Sequence, residues 1–204
     1  GLAMRGHDSR VLASVPFGCG LRHTMDGVAV SKASSLGELL SVPVAPTLPA
    51  HLRRGATDAS IVHYHLPNPI AVLSHFLVRP DVPTVVTYHS DIVRQSTSLK
   101  AYVPLLHRFL EDVDHIITTS PRLLEHSKIL GQYGQKCSPI PLSVDLDEFG
   151  PPGSGSEPKL DVDGPVVLFV GRLCYYKGLE YLVDAMNDVD GTLVIVGQGE
   201  RREA

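Results

Sequence analysis

The side chains best suited to grip an anion stand in one short segment, Val170-Gly171-Arg172-Leu173-Cys174-Tyr175-Tyr176-Lys177-Gly178. It follows the apolar run 166–170 and precedes a helix-like stretch, so Gly171, Arg172 and Lys177 fall on a predicted strand-to-helix turn. Ligands of open α/β sheets gather at such turns, where a helix N-terminus adds N–H groups and partial positive charge. Arg172 and Lys177 bracket the turn, which lets a guanidinium and an ammonium group converge on one diphosphate. The spacing is neither that of a Walker loop nor G-x-G-x-x-G. A surface turn bearing two solvated cations is the plain alternative.

A second segment, Val85-Val86-Thr87-Tyr88-His89-Ser90-Asp91-Ile92, runs off the C-terminal end of a strand into polar residues. There His89 can face a ligand in the cleft, although a hydrogen-bonded structural histidine is the alternative. Ser90 and Asp91 follow it, and both residue types also serve as ordinary turn and capping groups. Upstream, Val62-His63-Tyr64-His65-Leu66-Pro67-Asn68-Pro69 sets two histidines two apart, on one face if the segment is a strand. A metal site needs further ligands, and the neighbouring chain offers no H-x-x-E-H or similar arrangement, so no metal is expected. Asn68, before a proline, reads as a helix cap or as a cleft residue.

These side chains need a scaffold, and the chain supplies one. Short β-rich runs at 11–13, 28–31, 61–64, 84–88, 115–118 and 137–140 alternate with helix-like stretches, the pattern of a parallel sheet with crossover helices. Several runs are near-continuous in apolar character, as strands covered on both faces should be. Helices are expected over 70–78, 99–113 and 122–130, with Pro104 a start or kink, Gly131 and Gly134 closing the last, and Gly6 closing a helical tail at the start. The Gly-, Pro- and Ser-rich stretch 150–158 cannot propagate regular structure, and a new unit opens at 166–170. It continues with a helix over 179–186 and a strand over 192–196 that ends in Gly197-Gln198-Gly199. The expected organisation is a first domain over 1–149, a linker over 150–164 and the start of a second domain over 165–204.

The 204 residues are 43% hydrophobic and 20% charged, the make-up of an ordinary globular chain. A net charge of -4 with scattered Lys and Arg leaves no basic stripe for nucleic acid. Cys19, Cys137 and Cys174 lie far apart, so neither a disulfide framework nor a thiolate zinc site is expected, and a reducing compartment fits. No apolar run approaches the roughly 18 residues of a membrane span.

The sequence G-R-L-x-x-x-K-G followed by Leu-Glu-Tyr-Leu-Val-Asp-Ala-Met resembles the start of the second domain of retaining family 4 glycosyltransferases. The Thr87-Tyr88-His89-Ser90-Asp91 run resembles the first-domain motif of that family, and His65-Leu66-Pro67-Asn68-Pro69 its acceptor-side turn. Ile140 to Phe149 is similar to its P-x-G-V-D-x-x-x-F hinge, with Ser143 where the family has Gly. The resemblance runs from Gly6-His7 to Gly197-Gln198-Gly199 and implies the GT-B fold: a doubly wound Rossmann-like sheet, here without its first strand, plus the start of a second such domain.

It also implies roles. Arg172, Lys177 and Gly171 would hold the diphosphate of a nucleotide-sugar donor, His89 would stand at the reaction centre, and His65, Asn68, Ser90 and Asp91 would meet substrate. The implied activity is hexose transfer with retention to a carbohydrate or lipid-linked acceptor in polysaccharide assembly. It needs no metal or cofactor, GDP-mannose being the first guess for the donor. The implied location is the cytoplasm, at the inner membrane face, with peripheral membrane association or self-association. Sugar-nucleotide epimerases and phosphorylases share the architecture, and a non-catalytic fragment or binding module is a further alternative. The family's opening strand is expected before Gly1, and its E-x(7)-E pair after Ala204.

Overall fold

The computed structural model describes residues 2–39, 42–92, 96–144, 146, 162 and 164–202. The expected linker 150–164, apart from Val162 and Gly164, and the hinge residues Asp145 and 147–149 lie outside the described residues. The chain divides into two compact units, Gly1–Val144 and Asp145–Ala204.

The first unit opens with a single 3-10 turn, Ala3–Arg5, closed by Gly6 at φ 82°. A three-stranded sheet follows, built from β1 (Arg10–Ser14), β2 (Leu21–Met25) and β3 (Val28–Ala33) in the order β1-β3-β2. Strands β1 and β3 run parallel, but β2 and β3 form an antiparallel hairpin that the expected all-parallel sheet lacks. Asp26 and Gly27 turn it with φ of 49° and 77°, the paired positive angles that suit the twist of a tight hairpin. Two short antiparallel strands, β4 (Glu38–Leu39) and β5 (Val42–Pro43), lead to α1 (Leu48–Ala56), where Leu48 and Leu52 bury one face.

The second sheet carries the main core. Its strands are β6 (Val62–Leu66), β7 (Thr84–Tyr88), β8 (His115–Thr118) and β9 (Cys137–Pro139), all parallel and in the order β6-β7-β8-β9. Crossovers run through α2 (Pro69–Val78), α3 (Ser96–Asp112) and α4 (Pro121–His126). Strand order follows chain order in this sheet. Mixed α/β structure around a four-stranded parallel sheet is consistent with a Rossmann-like unit.

Right-handed crossovers that all advance one way put their helices on one face. Tyr64, Leu66, Val86, Tyr88 and Ile116 point to that face and pack with Val72 of α2 and Phe109 and Leu110 of α3, all essentially buried. Each such side chain stabilises the fold by about 1.5–3 kcal/mol. The same packing outweighs Pro104, which sits inside α3. By the register the opposite face carries His63, His65 and His115 beside Val85, Thr87, Ile117 and Ser138, with His63 and His65 exposed and Thr87 buried.

A buried histidine ties two helices together on the helical side. His75, 3% exposed, has its Nε2 2.6 Å from Asp112 Oδ2 and its Nδ1 3.1 Å from the Tyr64 hydroxyl. A carboxylate only accepts, so Nε2–H donates to Asp112 and α2 is tied to α3. Burial, then the charge of Asp112, pushes ionisation of Tyr64 upward.

Helix α4 is shorter than the expected 122–130: it ends at His126, residues 127–129 form a turn, and a 3-10 stretch, Leu130–Lys136, follows and contains Gly131 and Gly134. Ser127 explains the break, because its Oγ receives the N–H groups of Ile129 at 3.2 Å and Leu130 at 3.1 Å and starts the chain afresh.

The second unit holds β10 (Val166–Val170) and β11 (Thr192–Val196), paired in parallel and connected through α5 (Leu179–Ala185).

Candidate active site

Strand β6 is where the histidine array begins. His63 and His65 share a face, and their rings stack with centroids 4.7 Å apart at 23°. In the parallel register His65 lies opposite Thr87, so His89, two residues on, comes up on that face beside it. The His89 N–H donates to the Leu66 carbonyl at 3.0 Å, which carries the ladder one step past the strand end and fixes the backbone of His89. The His65 and His89 rings then lie 5.3 Å apart at 16°, with His65 Nδ1 3.0 Å from His89 Nε2. At the other end His63 Nε2 meets Thr87 Oγ1 at 2.7 Å.

Positive charge is disfavoured in this array. Burial first, and repulsion from His65 and His89 second, lowers the pKa of His63; burial and then His89 lowers that of His65. At the contact between them one ring nitrogen donates and the other accepts. His65 and His89 are therefore locked to each other in orientation and tautomer.

The remaining candidates of the first unit divide. Asp91 is spoken for: its Oδ1 accepts the Tyr88 hydroxyl at 2.9 Å and the Ser127 hydroxyl at 2.7 Å, and its Oδ2 accepts the Lys128 N–H at 3.3 Å. That carboxylate fastens the end of α4 to the end of β7. Asn68 caps α2, its Oδ1 accepting the Ala71 N–H at 3.2 Å. Ser90 is exposed at the strand end beside His89.

Around His89 opens a cavity of about 500 Å³, lined also by Thr119, Ser120, Arg122, Leu123 and His126. In the sequence Ser120-Pro121 reads as a helix start, a cap before a first-turn proline, and Thr119, Arg122 and His126 carry no motif of their own. The available signal was Arg122 and His126 at i and i+4, one helical face, just after a strand end. A larger hollow of about 620 Å³, with His75, Arg79, Arg108 and Asp114 in its lining, opens at the Thr84 end of β7, away from every candidate.

Gly171, Arg172 and Lys177 lie in the second unit. Gly171 N–H donates to Val196 O at 3.0 Å and Leu173 N–H to Gln198 O at 2.9 Å, so the turn is pinned to the end of β11. A 3-10 turn, Tyr175–Lys177, and Gly178 at φ 63° separate Arg172 from α5. Within that turn the N–H groups of Cys174, Lys177 and Gly178 are given to carbonyls of Arg172, Cys174 and Tyr175. The cations themselves are exposed, with Lys177 Nζ 5.8 Å from the centre of the Tyr176 ring. Among the described residues no three His, Cys, Asp or Glu side chains are placed to share a metal ion, and no helix is long and apolar enough to cross a membrane.

Comparison with known proteins bears on this arrangement. A D-rhamnosyltransferase, WbpZ, of Pseudomonas aeruginosa is 40% identical over 187 residues, 91% of this chain and 47% of its own length. The O-antigen chain mannosyltransferase C of Escherichia coli is 37% identical over 175 residues, 83% of this chain and 47% of its own. A D-inositol 3-phosphate glycosyltransferase of Xylanimonas cellulosilytica is 28% identical over 173 residues, 75% of this chain and 41% of its own. The chain thus spans about half the length of the curated relatives it matches. Residues 1–148 match the profile of Glycosyltransferase Family 4, and on that match the chain belongs to this family.

Proposed function

We propose that the protein transfers a hexose from a nucleotide diphosphate sugar to a carbohydrate or lipid-linked acceptor, with retention at the anomeric carbon. The observation that carries this reading is the His65–His89 imidazole pair at the C-terminal end of a parallel sheet, in a chain of family 4. In the reaction the bond from the anomeric carbon to the diphosphate oxygen breaks, a bond to an acceptor hydroxyl oxygen forms, and the hydroxyl proton passes to the departing diphosphate. Arg172 and Lys177 neutralise the departing diphosphate, with Gly171 allowing its approach, an electrostatic service that can supply much of the rate. His89 meets the donor sugar, and His65, Asn68 and Ser90 meet substrate on the acceptor side. Asp91 acts by holding the cavity wall.

Residues 1–149 then form the acceptor-side domain and 165–204 the opening of the donor-side one. Relatives named as rhamnosyl- and mannosyltransferases favour a hexose or deoxyhexose, and GDP-mannose is the first donor to test. An O-antigen enzyme among them favours polysaccharide assembly at the inner face of the membrane. The test is transfer from GDP-mannose and other nucleotide sugars to a lipid-linked or free glycan, with the product's anomeric configuration read by NMR. Arg172→Ala and Lys177→Ala should each lower turnover about 100-fold or more. Unchanged turnover in both ends the assignment.

A further inference from the structure

His75 is buried, is engaged through both ring nitrogens and takes no part in the transfer proposed above. Helix α2 is otherwise apolar apart from Ser74, whose hydroxyl donates to the Ile70 carbonyl of its own helix at 2.7 Å. His75 reaches two other elements instead. Its Nε2–H donates to Asp112, the last residue of α3, and in the neutral ring its Nδ1 accepts the Tyr64 hydroxyl of β6. A carboxylate at a helix C-terminus meets the negative end of the dipole, so the imidazole N–H also offsets an unfavourable charge there.

A buried chain of this kind adds little stability over a well-packed apolar group, but it restricts geometry, because each hydrogen bond holds within a narrow range of distance and angle. Ring packing narrows that range further. The His75 ring meets Phe109 edge-on at 4.9 Å and 87°, and Tyr64 at 5.4 Å and 79°. Tyr64 in turn stands between His63 and His65 on β6 and points to the opposite face of the sheet. Holding the Tyr64 side chain therefore holds the roll of the peptides on either side, and with it the approach of His65 to His89.

We propose that Asp112, His75 and Tyr64 form a positioning chain that sets the roll of β6 and so aims His65 at His89. His75 is thereby a positioning residue, acting on the site through Tyr64 and His65. The kinetic consequence rests on the glycosyl-transfer reading; the structural one stands without it.

The test is the double variant Tyr64→Phe with His75→Phe, which replaces both buried partners by rings of similar shape. It strands no buried polar atom between them, and Asp112, its side chain 58% exposed, passes to water, so the urea midpoint should stay near that of the parent. The nitrogen NMR signals of the His65 and His89 rings should nonetheless move or broaden, while those of His23, exposed on β2, stay still. With a nucleotide sugar and acceptor, kcat should fall about tenfold at unchanged donor KM, as for a misaimed group. Asp112→Ala breaks the chain at its exposed end and should act in the same direction, also if the double variant does not fold. Asp112→Asn, whose amide oxygen still accepts the Nε2–H, should recover most of that loss.

Unmoved His65 and His89 signals in the folded double variant, or in Asp112→Ala where the double variant does not fold, overturn the proposal. So does an Asp112→Asn no better than Asp112→Ala. The two readings fail separately. Displaced His65 and His89 signals with no hexose transfer in the parent keep the positioning chain and remove the transferase. Transfer at the parent kcat in the double variant, with both signals in place, removes the positioning chain and keeps the transferase.

Discussion

The Nδ1 of His65 lies 3.0 Å from the Nε2 of His89, joining the end of one parallel strand to the first residue beyond its neighbour. His65 thereby holds one nitrogen of His89 and leaves the other edge of that ring to the cavity side. Replacing His65 with Ala should free the ring of His89 to rotate. Turnover should fall about 10- to 100-fold, as for a mispositioned catalytic group, with little change in stability because His65 is exposed. Steady-state kinetics beside a urea melt check this, and a large stability loss at full activity contradicts it.

The array also makes stability depend on pH. His63 and His65 both have folded pKa values below the ordinary 6.5, the main cause being partial desolvation of rings that crowd one another although part of each side chain stays exposed. As pH falls below that value the unfolded chain takes up protons that the folded array refuses, so stability is full above it and lost as pH falls toward the folded values. The urea midpoint should be lower at about pH 5.5 than at about pH 7.5. The double variant His63→Asn with His65→Asn should narrow the difference.

Asp91 offers a different kind of test, since its carboxylate is a fastener. Tyr88 is 1% exposed and its hydroxyl donates to Asp91. Asp91→Ala leaves that hydroxyl without its acceptor and releases Ser127, at a cost of about 2–3 kcal/mol in a denaturant titration. Asp91→Asn should cost less, because an amide oxygen can still accept.

On the second unit, Gly197 and Gly171 separate packing from function. A Cβ at Gly197 would collide with the carbonyl oxygen of Gly171, whereas one at Gly171 would meet only the Phe169 ring at 3.4 Å. Gly197→Ala should therefore destabilise the unit by about 1–3 kcal/mol, and Gly171→Ala by less. Hydrogen exchange of the β10 and β11 amides reads both.

The linear chain was enough to mark the strands 84–88, 115–118, 166–170 and 192–196, because each is a short apolar run between turn residues. Asn68-Pro69 and Ser120-Pro121 likewise announced the starts of α2 and α4 through local chemistry. The β2–β3 hairpin has its local signal in Asp26-Gly27 between two β-like runs, although only the second run is apolar enough to read as a strand. Helix α1 was harder, since only Leu48 and Leu52 mark its buried face.

What the order of residues settles is local: period, caps, turns and the motifs that resemble one family. Tertiary structure alone decided which histidines meet, because the alignment of His89 with His65 depends on parallel register between positions 24 apart in the chain. It also decided that Asp91 is consumed by Tyr88 and Ser127, and that Arg122 and His126 share a cavity with His89. Side-chain contacts between distant segments are fixed by how helices pack on a sheet, and no short-range pattern encodes that distance.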